Sequence, residues 1–293
     1  MTSDISSRRM LVLHIGLPKT GTTFLQHRVF AASTELQLVH RTLAPQRAEL
    51  CFALRRLARA MPLMLPFRRE QALSQLEAIN PEDPRPLLVS DENICMDVRS
   101  FWRGGRPTPI ELADRLARLA QMVTDRFDPI RVLIGVRGQG HWLASRYAES
   151  SRVLKEFSQA DFERRVRALC TRPLEGPARW LDYDTVSRAF AARLGEENVR
   201  LVSLEQLAAS PRRTTAELGR FVGGVALRSA AARRRRNGLA TGVNVWRLRS
   251  DSSDLHLTPE LSALVHRRFA ASNARLDPEL HLHEPLEPDA IPR

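Results

Sequence analysis

Lysine is almost missing from this chain: only Lys19 and Lys155 occur, and the rest of its 45 basic residues are arginines. Cysteine is scarce too. Cys51, Cys95 and Cys170 are odd in number and widely spaced, which excludes a disulfide framework and a cysteine-based metal site. No run approaches the roughly 18 apolar residues of a membrane span. The opening "MTSDISSRRMLVLHIGLPK" has the flavour of a signal peptide. Its apolar centre is too short and leads straight into Pro18 and Lys19, so it reads as a first strand, and the expectation is a cytoplasmic protein. The net charge of +12 comes with few aromatics and no nucleic-acid-binding motif, which argues against a nucleic-acid partner. An arginine-rich composition accounts for much of that charge. A lysine inside a glycine–threonine loop is a different matter and points to an anionic ligand there.

Strand-like and helix-like runs alternate along the chain. Short apolar runs at 10–16, 85–92, 130–137 and 198–204 predict strands. Helical spacing marks "TTFLQHRVFAA", Leu50-Leu54-Leu57-Met61, Leu112-Leu116-Leu119-Val123, "GHWLASRYAESS" and Val186-Phe190-Leu194. A further helix starts at Thr258-Pro259, an N-cap followed by proline in the first turn. This alternation predicts an α/β fold: a three-layer sandwich with a central parallel sheet and helices on both faces. The stretches 96–109 and 229–244 read as linkers, and 281–293 as an irregular tail. No boundary divides the chain, so the expectation is a single domain over 1–293 with its core at about 10–280.

In such sheets ligands sit beyond the carboxyl ends of the strands. Three predicted strands end in reactive groups: the "GLPKTGTT" loop at 16–23, Ser90-Asp91-Glu92, and Arg137. The loop joins a strand to a helix N-terminus, where backbone N–H groups and the helix dipole converge on one spot. Gly16 and Gly21 permit tight turning, Thr20, Thr22 and Thr23 supply hydroxyls, and Lys19 a charge. This is phosphate-binding chemistry. The order differs from the nucleotide loop G-x-x-x-x-G-K-[ST], because Lys19 precedes the last glycine.

"HIGLPKTGTTFLQ" resembles the 5′-phosphosulfate loop of the sulfotransferases that use 3′-phosphoadenosine 5′-phosphosulfate (PAPS), bacterial and carbohydrate-directed members above all. A second motif of that family, a strand ending in arginine with a serine eight residues on, is similar to "VLIGVRGQGHWLASRY", with Arg137 and Ser145. Weaker likeness extends over most of 10–280. The family usually has an acidic or amide residue and a proline after the arginine; here stand Gly138-Gln139-Gly140. The resemblance implies a P-loop-like fold, PAPS as donor, no metal, and a donor site of Pro18, Lys19, Thr20, Gly21, Thr22, Thr23, Arg137 and Ser145. Arg235, Arg236 and Asn237 in "RRRRNGLATG" fall where a nucleotide lid would lie.

The resemblance also implies that a glutamate after a strand is the general base. Glu92 is that candidate, with Asp91 the alternative; Asp91 better suits capping the next helix. Lys19 would stabilise the leaving phosphate. His14 reads as a buried neighbour of the site, and His141 as a lesser base candidate. Trp102, Arg103 and Arg106 are candidates for a wall around a carbohydrate or small-metabolite acceptor. A P-loop kinase or NTPase, and a PAPS-binding protein without catalysis, remain as alternatives.

Overall fold

The computed structural model describes residues 8–80, 82–96, 100–105, 107–227, 240–242 and 244–282. β1 (Arg9–His14) leads through the 15–21 loop into α1 (Thr22–Phe24), which continues as a π-helix over Leu25–Phe30. Then come β2 (Gln37–Val39), α2 (Ala48–Arg59), α3 (Leu65–Glu77) and β3 (Leu87–Ser90). They are followed by α4 (Ser100–Arg103), α5 (Pro109–Met122), β4 (Phe127–Val136), α6 (Gln139–Ser150), α7 (Gln159–Thr171) and α8 (Tyr183–Leu194). β5 (Val199–Ser203), α9 (Leu204–Ala209) and α10 (Pro211–Phe221) lead to the strands β6 (Ala240–Gly242), β7 (Val245–Arg247) and β8 (Asp254–His256), and then to α11 (Pro259–Asn273).

The main sheet is parallel throughout, in the order β2-β3-β1-β4-β5. Side chains alternate across a strand, and here the alternation feeds two separate cores. Leu11, Leu13, Leu87, Val89, Val132 and Ile134 enter the larger core with Leu54, Leu116, Trp142 and Phe190. Val12, Leu88 and Leu133 enter the smaller one with Leu25, Phe30, Leu207 and Leu218. Helices therefore cover both faces, as the alternation of elements predicts. Among the described residues, no helix is long and apolar enough to cross a membrane.

Local chemistry sets the helix ends. Thr108 and Glu111 form a reciprocal capping box at α5, and the Thr258 hydroxyl accepts from Leu261 N–H at α11. Gly195, at φ 91°, stops α8.

Four expectations need correction. The helix read through Met61 ends at Arg59: Pro62 disfavours helical geometry in the residue before it, and Met61 is extended (φ −67°, ψ 152°). The helix after the loop is π-helical for most of its length. The 229–244 linker ends in a small antiparallel sheet, β6-β7-β8, while 228–239 lie outside the described residues, as does 283–293 of the expected tail. Within 96–109, Ser100–Arg103 forms a short helix.

Candidate active site

The sheet order makes β3, β1 and β4 neighbours, so the loops that follow them emerge side by side at one edge. These loops carry Glu92, residues 15–21 and Arg137.

The 15–21 loop is packed hard against β4. Ile15 and Leu17 N–H donate to the Leu133 and Gly135 carbonyls at 3.0 and 2.9 Å. A Cβ on Gly16 would lie 2.4 Å from the Gly135 nitrogen, and one on Gly135 would lie 2.6 Å from Thr20 Oγ1. Two glycines thus allow the loop to lie on the strand. Lys19 (φ 70°) and Gly21 (φ 82°) are both left-handed. That costs a lysine conformational energy that glycine does not incur. The buried Thr20 hydroxyl donates to the Leu17 carbonyl at 2.5 Å and closes the turn. Thr22 and Thr23 then open the helix.

α6 locks this loop from the other side. Trp142 Nε1 donates to the Pro18 carbonyl at 2.7 Å, and Arg137 Nη1 to the Lys19 carbonyl at 3.4 Å. The two sequence motifs therefore meet. Lys19 Nζ lies 2.9 Å from Glu149 Oε1, and Arg146 Nη1 donates to Glu149 Oε2 at 2.8 Å. Burial pulls the Lys19 ammonium below its ordinary value, opposed by Glu149. Burial would raise Glu149, but Lys19 and Arg146 outweigh it and hold the carboxyl below the usual range. Ser145 is buried on α6, one turn before Glu149.

The two carboxylates after β3 differ sharply. Asp91 is buried and takes a bidentate pair from Arg55 (Nε to Oδ2 2.5 Å, Nη2 to Oδ1 2.6 Å). It also accepts from Asn93 N–H at 3.1 Å, the capping role expected of it. Glu92 is half-buried, and its Oε2 accepts from Gln26 Nε2 at 3.1 Å. Gln26 Nε2 also lies 3.1 Å from Ser90 Oγ, which is 2.7 Å from His14 Nδ1. With its hydroxyl accepting from Gln26, Ser90 can donate to His14. His14 is fully buried, and burial, aided by His40, lowers its pKa to about 3, so the ring is neutral.

Beyond Arg137, a cleft of about 220 Å³ opens at the start of α6, lined by Gly138–His141, Asn244, His266 and Asn273 among others. His141 Nε2 lies 2.9 Å from Asn244 Oδ1, and burial with the Arg137 charge lowers its pKa to about 4. Tyr183 O–H donates to the Arg137 carbonyl at 2.6 Å. Gly138 N–H donates to Glu205 Oε1 at 3.0 Å, and burial raises Glu205 to about 7 against the pull of Arg137.

Trp102 stands edge-on to Phe101 and Tyr147 at 4.7 and 5.6 Å and packs against the larger core, which argues against its place in an acceptor wall. Arg106, Arg235, Arg236 and Asn237 lie outside the described residues. Gln26, Glu149 and Glu205 are absent from the sequence reading. Glu149 had a signal: it follows Ser145 by four residues, one turn along the same helix face.

No family model and no curated protein matches the chain. Two solved structures resemble it along most of its length. A sulfotransferase from Alicyclobacillus acidocaldarius is 14% identical, with a TM-score of 0.49, over 93% of this chain and 96% of that one. The sulfotransferase domain from the curacin biosynthetic pathway is 12% identical, with a TM-score of 0.40, over 92% and 97%. At such low values, the chemistry of the site rests on this chain's own residues.

Proposed function

We propose that the protein is a cytoplasmic PAPS-dependent sulfotransferase, a single domain that moves a sulfuryl group to a hydroxyl or amine of a carbohydrate or small metabolite. One observation carries the reading: β3, β1 and β4 are adjacent, and they bring a carboxylate, a lysine-bearing anion loop and a buried arginine to one edge.

The residues fit the donor. The loop offers the N-terminus of a helical segment, the threonine hydroxyls of residues 22 and 23, and a cation in a left-handed position. Arg137 is the candidate for the 3′-phosphate, with Ser145 beside it on α6. Arg236 and Asn237 are proposed for the lid. When bound, the donor supplies an activated sulfuryl group on a phosphate leaving group.

Glu92 takes the proton of the acceptor as its oxygen or nitrogen attacks sulfur. The bond between sulfur and the bridging oxygen breaks, and Lys19 meets the negative charge that collects on that oxygen. A cation placed there stabilises the transition state more than the ground state. Gln26 fixes one oxygen of Glu92 and leaves the other for the acceptor. A sulfuryl group bears less charge than a terminal phosphoryl group, so Lys19 suffices where phosphoryl transfer uses Mg²⁺.

The test is incubation with labelled PAPS and a panel of cell extracts in EDTA, read by mass spectrometry. The reading requires an acceptor that gains one sulfuryl group. Transfer of a phosphoryl group from Mg–ATP instead would establish the kinase alternative. Binding of the donor without transfer to any acceptor would favour a non-catalytic PAPS-binding protein.

A further inference from the structure

The turn between α2 and α3 and the first residues of α3 form a continuous apolar run, Met61-Pro62-Leu63-Met64-Leu65-Pro66-Phe67. Folding buries little of it. Leu63 is 91% exposed, Met61 60%, Phe67 53% and Met64 40%, while Leu65 alone of the seven packs against the core. The core contacts of the flanking helices are made elsewhere, by Leu50, Leu54 and Leu57 on α2 and by Leu73 and Leu76 on α3. An exposed run of this length costs solubility and is retained where something covers it.

The charges around the run are mostly positive. From Leu50 to Arg69 there are five arginines, with Glu49 and Glu70 at the two ends of the stretch. Arg55 and Arg59 turn inward, to Asp91 and to the Asn93 carbonyl. Arg56 on α2 pairs with Glu49 at 3.4 Å, which leaves Arg68 and Arg69, directly behind Phe67, at the base of the run. The Arg68 guanidinium stacks over the Phe67 ring, 5.3 Å from its centroid. The tip itself is aliphatic, thioether and aromatic, with no polar side chain among its seven residues. An apolar tip with guanidinium groups at its base matches the layered chemistry of a bilayer surface: acyl boundary outside, phosphates behind it.

We propose that the α2–α3 turn and the start of α3 dock on an anionic lipid surface, with Met61, Leu63, Met64 and Phe67 in the acyl boundary and Arg68 and Arg69 on the headgroup phosphates. Arg55 and Arg59 connect the same helix to the loop that carries Glu92. Docking would bring that side of the site towards the lipid surface, where an acceptor carried on a lipid is offered. This last consequence rests on the function proposed above; the docking itself does not.

Flotation with vesicles of phosphatidylcholine, alone or with about one third phosphatidylglycerol, tests it. The full chain should bind the anionic vesicles about tenfold or more tightly than the neutral ones, and less tightly in high salt. Leu63→Asp with Phe67→Asp should abolish binding at unchanged melting temperature, since both side chains are exposed. Arg68→Gln with Arg69→Gln should weaken it about 10- to 30-fold, the effect of two surface charges at a membrane. Arg212→Gln with Arg220→Gln, on α10 across the sheet, should change it little. Three results overturn the proposal: no preference for the anionic vesicles, an equal loss in the α10 variant, which would assign binding to net charge, or concentration-dependent self-association abolished by Leu63→Asp/Phe67→Asp without vesicle binding.

Discussion

Lys19 Nζ, on the loop after β1, is held 2.9 Å from Glu149 Oε1, on the last turn of α6. The cation proposed for the leaving group is thus already engaged by a carboxylate, which Arg146 fixes from behind. An incoming anion must compete with Glu149 for Lys19. Glu149→Gln removes the competing charge and keeps an oxygen for Arg146. It should tighten binding of 3′,5′-diphosphoadenosine about tenfold or more, the size of a charge-assisted hydrogen bond. Calorimetry checks this. Weaker binding in the variant would mean that Glu149 orients Lys19 for the ligand instead of withholding it.

Asp91 and Glu92 are adjacent, and their replacement should separate structure from chemistry. Asp91→Asn breaks a buried bidentate pair with Arg55 and should cost about 3 kcal/mol, lowering the melting temperature by several degrees. Glu92→Gln should leave the melting temperature nearly unchanged and reduce kcat by roughly 10²–10⁴. Near-normal turnover in Glu92→Gln removes it as the base.

The sequence carries these features unequally. β1, β3, β4 and β5 are short apolar runs between polar residues, and a buried parallel strand needs nothing more to be legible. The loop is legible because its glycines, lysine and threonines stand together in an unusual order. β2 is only three residues, Gln37–Val39, too short to show a period. α3 is obscured because its start carries the exposed apolar run at 61–67, which mixes surface with core positions. The contact from Gln26 to Glu92 joins residues far apart in the chain, and only the fold brings them together. Trp102 looks like a ligand wall in a sequence; its aromatic neighbours Phe101 and Tyr147 account for it as packing.

Glu205 makes stability depend on pH. Burial raises its pKa from 4.5 to about 7 in the folded chain. Between these values the native state holds a proton that the unfolded chain has lost, so stability falls as the pH rises. The stabilisation is full below about pH 4.5 and is lost as the pH passes 7. Urea titrations at pH 5 and pH 8 should show a difference of about 1–3 kcal/mol from this group. Glu205→Gln still accepts from Gly138 N–H and should reduce the difference. An unchanged pH dependence in the variant would assign the effect to other groups.

Arg137 bonds the Lys19 carbonyl and directly precedes Gly138, which lines the cleft beside α6. If it holds the 3′-phosphate, Arg137→Ala should weaken binding of 3′,5′-diphosphoadenosine by roughly 10- to 150-fold. Binding of 5′-AMP, which has no 3′-phosphate, should barely change. Equal losses for both ligands would reduce Arg137 to a support of the loop.

The donor site itself is tested most directly by titrating 3′,5′-diphosphoadenosine into the protein and into Lys19→Ala by calorimetry in EDTA, with Mg–ATP titrated separately without chelator. A PAPS site predicts metal-free binding of 3′,5′-diphosphoadenosine, tighter than that of Mg–ATP and about tenfold or more weaker in Lys19→Ala. Tighter binding of Mg–ATP, or no binding of 3′,5′-diphosphoadenosine without metal, would contradict it.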